Sequence, residues 1–558
     1  MENEKIIANP KDNPEISSLS PALFKVHSDN TNIHDQAFET KPVSYLRDSL
    51  NRFAKNKASI VSAIIILIIA LYAIIVPFAS PKAHVDPITY PNGFQEPYMA
   101  NVLPYNDWFK GTGFWDGTKT QTVGINALRR YQNDDSNHPQ FVRIEKTVES
   151  KVTIGSVTKV NYSYVVRLDT YGFGVKRVQL DPSVYEEIAA YDTERAAKGE
   201  STIIKPSVDY ESYVTSYIES IKNSDTNPGE SILSTIENNL KTEYLNNANI
   251  YYQLKATYNG SYNTNSFEPV LDANEKVIPI YALDEDGSYA KPELVNGKYN
   301  VRLDYYDYFT FTRGFEPHFL FGSNGAGRDI FLRLAQGTLF SLGLGIIISI
   351  INFLIGLVWG ALSGYYGGWV DLTMERITDI ISNIPSIIIL TICSIQFNNN
   401  PAVKEAIGEG GVIVLAFLIA FVYSGWVGVA STTRMQFYRF KGQEYVLASR
   451  TLGAHDGRLI FRHILPNAIG TLVTSSVLMI PSVIFSESTL SYLGIINFNT
   501  GNLSSIGTLL NEGQGTLESY PHILLFPCVI ISVLMICFNL FGNGLRDAFN
   551  TSLKGADE

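Results

Sequence analysis

Hydrophobic positions are distributed unevenly along the chain. One apolar run, Ala58–Ala79, is followed by a long polar interval and then by five more: Thr338–Leu362, Ile377–Phe397, Gly411–Ser431, Ala468–Phe485 and His522–Phe541. Each is close to the ~20 residues that cross ~30 Å of hydrocarbon at ~1.5 Å per residue, which predicts six membrane-spanning helices. The first run starts too far into the chain and runs too long to be a cleaved signal. Before it, Val43, Leu46, Leu50, Phe53 and Ala54 recur at three- and four-residue spacing with Arg47, Asp48, Arg52 and Lys55 between them. That pattern predicts an amphipathic helix lying on the membrane surface.

The polar interval, residues 80–317, is long enough to hold its own core. Alternating runs at Lys151–Val160, Tyr162–Leu168 and Lys298–Leu303 predict strands, and helical periodicity covers Ser183–Ala197, Val208–Lys222 and Ser231–Tyr244. The fold class expected is therefore an α-helical integral membrane protein with six transmembrane helices and an inserted α+β extracytoplasmic domain. Its many tyrosines suit either packing or a recognition face. Lys and Arg set the orientation. Arg47, Arg52, Lys55 and Lys57 precede the first span, Arg434, Arg439, Lys441, Arg450, Arg458 and Arg462 fill the loop 432–467, and Arg546 and Lys554 follow the last. All three segments fall on one side, so both termini are expected in the cytoplasm and residues 80–317 outside. Residues 1–57 then form a cytoplasmic tail with its interfacial helix, 58–79 the first span, and 318–558 the rest of the membrane core.

Composition adjusts this picture in small ways. The 558 residues are 45% hydrophobic and 17% charged, with a net charge of −11 and a mean hydropathy of +0.04, as a membrane bundle carrying a water-exposed domain should be. The acidity argues against nucleic acid as a partner. Cys393, Cys528 and Cys537 all lie in apolar runs, so no disulfide framework exists outside the membrane. No P-loop, zinc-protease, CxxC or nucleophile-elbow signature is present, and neither a catalytic residue nor a metal ligand is assigned. The glycine-rich Phe321–Asp329 (FGSNGAGRD) has no lysine with which to bind phosphate.

The basic loop carries the most specific signal, EYVLASRTLGAHDGRLIFRHILPN at Glu444–Asn467. It reads as a helix to Leu452, a break at Gly453, a second helix capped by Asp456, and a stop at Pro466. This helix–turn–helix resembles the EAA loop of ABC importer permeases, the element that docks on the ATPase. Tyr445, Ala448, Gly453, His463, Leu465, Pro466 and Asn467 stand where that motif has them, with His455, Asp456 and Arg458 in the turn between. Leu447 and Ser449 depart from its usual glutamate and alanine. Four further segments are similar to the OppC/DppC type of oligopeptide and dipeptide importers. They are Phe321–Arg333 with Gly327, Arg328 and Asp329; Gly368–Pro385 with Asp371, Arg376 and Asp379; Phe485–Gly494 with Glu487; and Phe538–Phe549. The resemblance does not extend to the external insertion.

What the resemblance implies is a type I ABC importer permease in the cell membrane, half of a peptide pathway with no chemistry of its own. Its partners would be a different permease subunit, two ATPase subunits, an extracytoplasmic peptide-binding protein and membrane lipids. No cofactor is expected on this chain, ATP and Mg being held by the ATPases. Tyr445 to Asn467 would couple to the ATPase, Asp371, Arg376 and Asp379 would form the first cytoplasmic loop, and Glu487 with Gly327, Arg328 and Asp329 would serve the pathway or its outer gate. The same fold also suits an importer of nickel or another small solute. A membrane-anchored receptor or enzyme is the other alternative, but an anchor needs one helix rather than six. The external domain is expected to be an acidic platform for the binding protein or the partner permease.

Overall fold

A computed structural model describes residues 45–80, 99–154, 157–498 and 504–549. The expected tail before residue 43 lies outside these residues. Residues up to Lys55 form one compact unit and those from Asn56 a second. In the first, helix α1 (Tyr45–Lys55) accounts for the amphipathic pattern.

The second unit begins with α2 (Lys57–Ala79), whose first turn is capped by the Asn56 side chain accepting from Ser59 N. The polar insertion then builds three small antiparallel sheets. Strands β1 (Thr118–Gly124), β2 (Phe141–Ile154) and β3 (Val157–Asp169) make the first, with α3 (Ile125–Gln132) packed on Val166 and Leu168 through Leu128. Lys151–Val160, expected as one strand, is divided between β2 and β3, where Ile154 pairs with Val157.

The second sheet joins β4 (Val175–Leu180), β5 (Ile204–Lys205), β8 (Leu294–Val295) and the central β9 (Lys298–Asp304). Helices α4 (Pro182–Ala197) and α7 (Tyr305–Arg313) flank it, and its core includes Met99, Val102, Ile188, Leu303 and Phe319. The third is the hairpin β6 (Leu254–Tyr258) and β7 (Tyr262–Pro269), covered by α5 (Tyr210–Lys222) and α6 (Glu230–Asn246). Tyrosines fill these cores: Tyr244, Tyr252 and Tyr305 are buried. The Tyr244 hydroxyl donates to Tyr252 O and accepts from Leu254 N, which satisfies a phenol that burial would otherwise penalise.

The membrane part follows. Helix α8 (Ile330–Tyr366) is 37 residues long, ~56 Å, and overshoots the hydrocarbon. Helices α9 (Gly368–Ser382) and α10 (Ser386–Asn398) meet at a 67° bend, where one straight span over Ile377–Phe397 was expected. Pro385 cannot donate to a preceding turn, and the residue before a proline is pushed out of the helical region. Helices α11 (Pro401–Gly425) and α12 (Val427–Lys441), α13 (Glu444–Thr451), α14 (Leu465–Val477), α15 (Met479–Tyr492), α16 (Ile506–Gln514) and α17 (His522–Phe549) complete the bundle. Among the described residues, five continuous helical stretches are long and apolar enough to cross a membrane, and counting the bent pair as one span makes six.

Helices α8 and α12 meet backbone to backbone. A Cβ on Gly356 would lie 2.6 Å from Val429 Cβ, one on Gly360 would meet the Ala430 carbonyl and lie 2.7 Å from Thr433 Cβ, and one on Gly364 would lie 2.7 Å from Phe437 Cβ. Small residues at four-residue spacing let the two backbones touch, as dispersion packing in lipid requires. Gly360→Ala should cost about 1–3 kcal/mol by overpacking, read as a lower unfolding midpoint in detergent; an unchanged midpoint would refute the close-contact role.

In the insertion, burial, with Asp135 and Asp304 beside it, pushes the Asp134 carboxyl up to about 6. The folded chain therefore holds this proton between its unfolded value of about 3.9 and about 6, and stability is lost as pH rises through that window. Asp134→Asn should stay neutral and gain on wild type over the same window. A stability difference between the two that does not change with pH would contradict this.

Candidate functional site

The basic loop folds as a helical hairpin. Helix α13 ends where Gly453 adopts φ +82°, with Gly453 N donating to Arg450 O and Ala454 N to Ser449 O. Only glycine enters this region without strain. The cap of the second arm is His455, whose Nδ1 accepts from Arg458 N at 3.3 Å, and not Asp456 as expected. Asp456 instead accepts a 2.6 Å bond from the Tyr365 hydroxyl at the end of α8, and Arg450 reaches the same hydroxyl at 3.5 Å. The helix does not stop at Pro466. A π-helical turn, Leu459–Ile464, leads straight into α14, with Pro466 in its first turn. The missing proline N–H is tolerated there because the register change leaves it no carbonyl to meet.

Ser449, one of the two departures from the motif, ties the arms together: its hydroxyl lies 3.1 Å from His463 Nε2. Asn467 Nδ2 donates to Tyr445 Oη at 3.2 Å and to His463 O at 2.7 Å. Tyr445, Ala448, His455, Arg458, Pro466 and Asn467 all face solvent, and Val446, Leu459 and Ile464 bury the hairpin against α8 and α12. The residues that sequence reasoning missed are Leu452 and Phe461, 88% and 70% exposed. Bare apolar side chains in a basic loop, one of them beside the turn glycine, were the available signal.

Asp371 holds the base of the hairpin's neighbour. Its carboxylate accepts Arg434 Nε at 2.6 Å and Nη2 at 2.7 Å, the Tyr438 hydroxyl at 2.7 Å, and the Ser363 hydroxyl. Arg434 also reaches Glu375 at 3.0 Å. The end of α8, the start of α9 and α12 thus converge on one buried carboxylate. Arg376 and Asp379, expected beside it, pair with each other on the surface at 3.0 Å and 77% and 50% exposed, a contact of small energetic value.

At the other end of the bundle the expected gate residues do not form one site. Glu487 is buried between α15 and α8, with Ser341 Oγ at 2.9 Å, Ser491 Oγ at 3.0 Å and Ser488 Oγ at 3.4 Å. A carboxylate enclosed by hydroxyls of its own chain has no open surface to offer a peptide. The Ser323–Asp329 turn closes as an isolated bridge. Gly327 takes φ +71° and Asn324 Oδ1 accepts from Ala326 N and Arg328 N. Asp329 caps α8 through Phe331 N at 2.8 Å, and burial pushes its carboxyl up to about 6. Ser323 binds Val102 N and Met99 O, and Asn324 donates to Glu512 on α16 at 3.0 Å. This turn joins the insertion to the bundle, and roughly three helical turns of α8 separate Asp329 from Ser341.

The described residues form a bundle of apolar helices with a projecting helical hairpin, the architecture of a multi-pass membrane protein. The family profile described as binding-protein-dependent transport system inner membrane component matches residues 356–555. That of the N-terminal TM domain of oligopeptide transport permease C matches residues 44–97. The oligopeptide transport system permease protein OppC of Bacillus subtilis is 38% identical over 234 residues, 42% of this chain and 72% of that protein. The dipeptide transport system permease protein DppC of the same organism is 36% identical over 42% of this chain and 69% of its own length. The glutathione transport system permease protein GsiD of Pectobacterium atrosepticum is 32% identical over 45% and 78%. The chain belongs to the OppC/DppC family of ABC importer permeases. Most of the insertion lies in the interval between the two profile matches.

Removing one partner of the Asp371–Arg434 pair should cost about 3 kcal/mol, since the other charge is left half-desolvated. A double-mutant cycle on Asp371→Asn and Arg434→Gln, read by unfolding in detergent, should give a coupling above ~1 kcal/mol. Additive losses would remove the clamp from the account.

Proposed function

We propose that this chain forms half of a transmembrane pathway for oligopeptides or dipeptides and carries no reaction itself. It pairs with a second, different permease and two ATPase subunits that bind ATP and Mg, and a binding protein delivers the substrate on the side of the insertion. Both termini and the 432–467 loop lie in the cytoplasm and residues 80–317 outside, in keeping with the basic loops. The peptide substrate is supported by the names of the relatives.

One observation carries the reading: the hairpin at 444–467 holds Leu447, Leu452 and Phe461 in solvent at 45%, 88% and 70% exposure on a rigid turn. An ATPase groove that buries them gains about 1.5–3 kcal/mol for each large side chain. Tyr445, His455, Arg458 and Asn467 form the polar surround of that contact, with Ala448 and Pro466 as small apolar positions among them. His463 and Asp456 hold its shape. The pathway face is assigned to the exposed stripe Ser482, Phe485 and Thr489 of α15, opposite Glu487, beside an apolar cleft of about 540 Å³ shared with α17. Glu487 and the Gly327–Asp329 turn are structural supports of that face.

Leu452→Asp should lower peptide uptake by the reconstituted complex about tenfold or more, the equivalent of ~1.4 kcal/mol, while leaving the unfolding midpoint of the isolated subunit in place. Gly453→Val, with open space around it but a left-handed backbone, should lose uptake through strain of about 1–2 kcal/mol in the turn. Wild-type uptake and ATPase stimulation in both variants would refute the docking role.

A further inference from the structure

The insertion contains a loop, Asn106–Gly117 (NDWFKGTGFWDG), that is tightly built and yet presents its largest apolar side chains to the outside. Asn106 Oδ1 caps the 3₁₀ turn Asp107–Phe109 through Trp108 N. The Thr112 hydroxyl donates to Phe109 O at 2.7 Å, Asn106 N donates to Trp115 O at 2.9 Å, and the buried Asp116 accepts from Gly113 N at 2.7 Å and from the Thr118 hydroxyl at 2.7 Å. Held in this frame, Trp108 is 90% exposed and Phe114 63%. In water, an ordered loop gains nothing from displaying a bare indole.

The position of the loop gives the display a meaning. Phe114 meets Trp115 edge-on at 5.6 Å, and Trp115 meets Phe526 of α17 at 5.5 Å while its Nε1–H donates to Leu320 O. Phe526 stacks at 4.0 Å on Phe321, which meets Phe331 of α8 at 5.1 Å, and Phe331 meets Tyr72 of α2 at 5.1 Å. One line of rings thus runs from the loop to the ends of three membrane-spanning helices. At the ends of two of those helices, Phe78 of α2 and Leu525 of α17 are 82% and 56% exposed. This is the depth at which Trp and Tyr are favoured in a bilayer, apolar body toward the acyl chains and polar edge toward the headgroups. Lys110, exposed at the tip, suits lipid phosphate.

We infer that the Asn106–Gly117 loop is a membrane-contact loop, embedding Trp108, Phe109 and Phe114 in the headgroup region of the leaflet on the insertion's side. The contact lays the inserted domain down beside the bundle and limits its rocking. It depends on the membrane embedding of α2, α8 and α17 and not on what is transported.

The test uses the full chain in nanodiscs of phosphatidylcholine and phosphatidylglycerol. The five tryptophans include Trp108, and the difference between wild type and Trp108→Phe isolates its emission. In discs whose lipids carry bromine high in the acyl chain, the Trp108 component should lose most of its emission; bromine deep in the chain should quench it less, and aqueous iodide hardly at all. Strong iodide quenching with no effect of bromolipid would overturn the inference. So would shielding from both quenchers, which would mean that protein covers the loop. Phe114→Ser, compared with Phe114→Leu, gives a second reading: the serine variant should shift Trp108 emission to the red and the leucine variant should not. A red shift absent from the serine variant would also count against the contact.

Discussion

The direct contact between the backbones of α8 and α12 is the constraint on which the rest of the membrane part depends. In lipid there is little hydrophobic gain from bringing two helices together, so attraction comes from dense packing and from polar groups that find partners. Gly356, Gly360 and Gly364 supply the first by leaving no side chain between the helices. Asp371 supplies the second where the stripe ends, gathering Arg434 and Tyr438 from α12 and Ser363 from α8. Neither works alone. Without the glycines Arg434 would stand too far from Asp371, and without Arg434 the buried carboxylate would lose the positive charge that offsets its desolvation.

From that clamp the helical hairpin takes its position. Tyr365 lies one residue from the end of α8 and donates to Asp456, so the rod that carries the clamp also carries the hairpin. The far end of the same rod is capped by Asp329 inside the turn that binds Val102 and Met99 of the insertion. One continuous helix, ~56 Å long, therefore connects the helical hairpin to the inserted domain. Glu487 braces it through Ser341, about a third of the way along from the Asp329 end. These roles explain polar residues in apolar helices without giving each of them to the substrate.

The inserted domain is built by a different rule. With no thiols and three short sheets, it is stabilised by tyrosines whose rings fill the cores and whose hydroxyls satisfy backbone groups, as Tyr244 does for Tyr252 and Leu254. Tyr171 does the same at the junction, donating to Leu103 O and packing on Phe319. Buried phenols in such a domain are structural, which leaves its exposed aromatic loop as the part that calls for a partner.

The membrane spans, the polar insertion and its mixed class, and the hairpin around Gly453 were legible in the sequence because each depends on properties summed over neighbouring residues: hydropathy, periodicity, and a glycine where the backbone must turn left-handed. What the tertiary structure alone decided was which distant groups meet. Asp371 reads as a loop carboxylate until Arg434 is folded onto it, and Glu487 reads as a gate residue until Ser341 and Ser491 enclose it. Leu452 and Phe461 read as ordinary loop apolars until burial is taken by Val446 and Leu459 instead. Pro466 reads as a stop, yet a π-turn upstream makes it a continuation. In each case the local pattern permits two environments, and the choice rests on packing between segments far apart in the chain, where one helix face excludes another and a buried charge must find its partner.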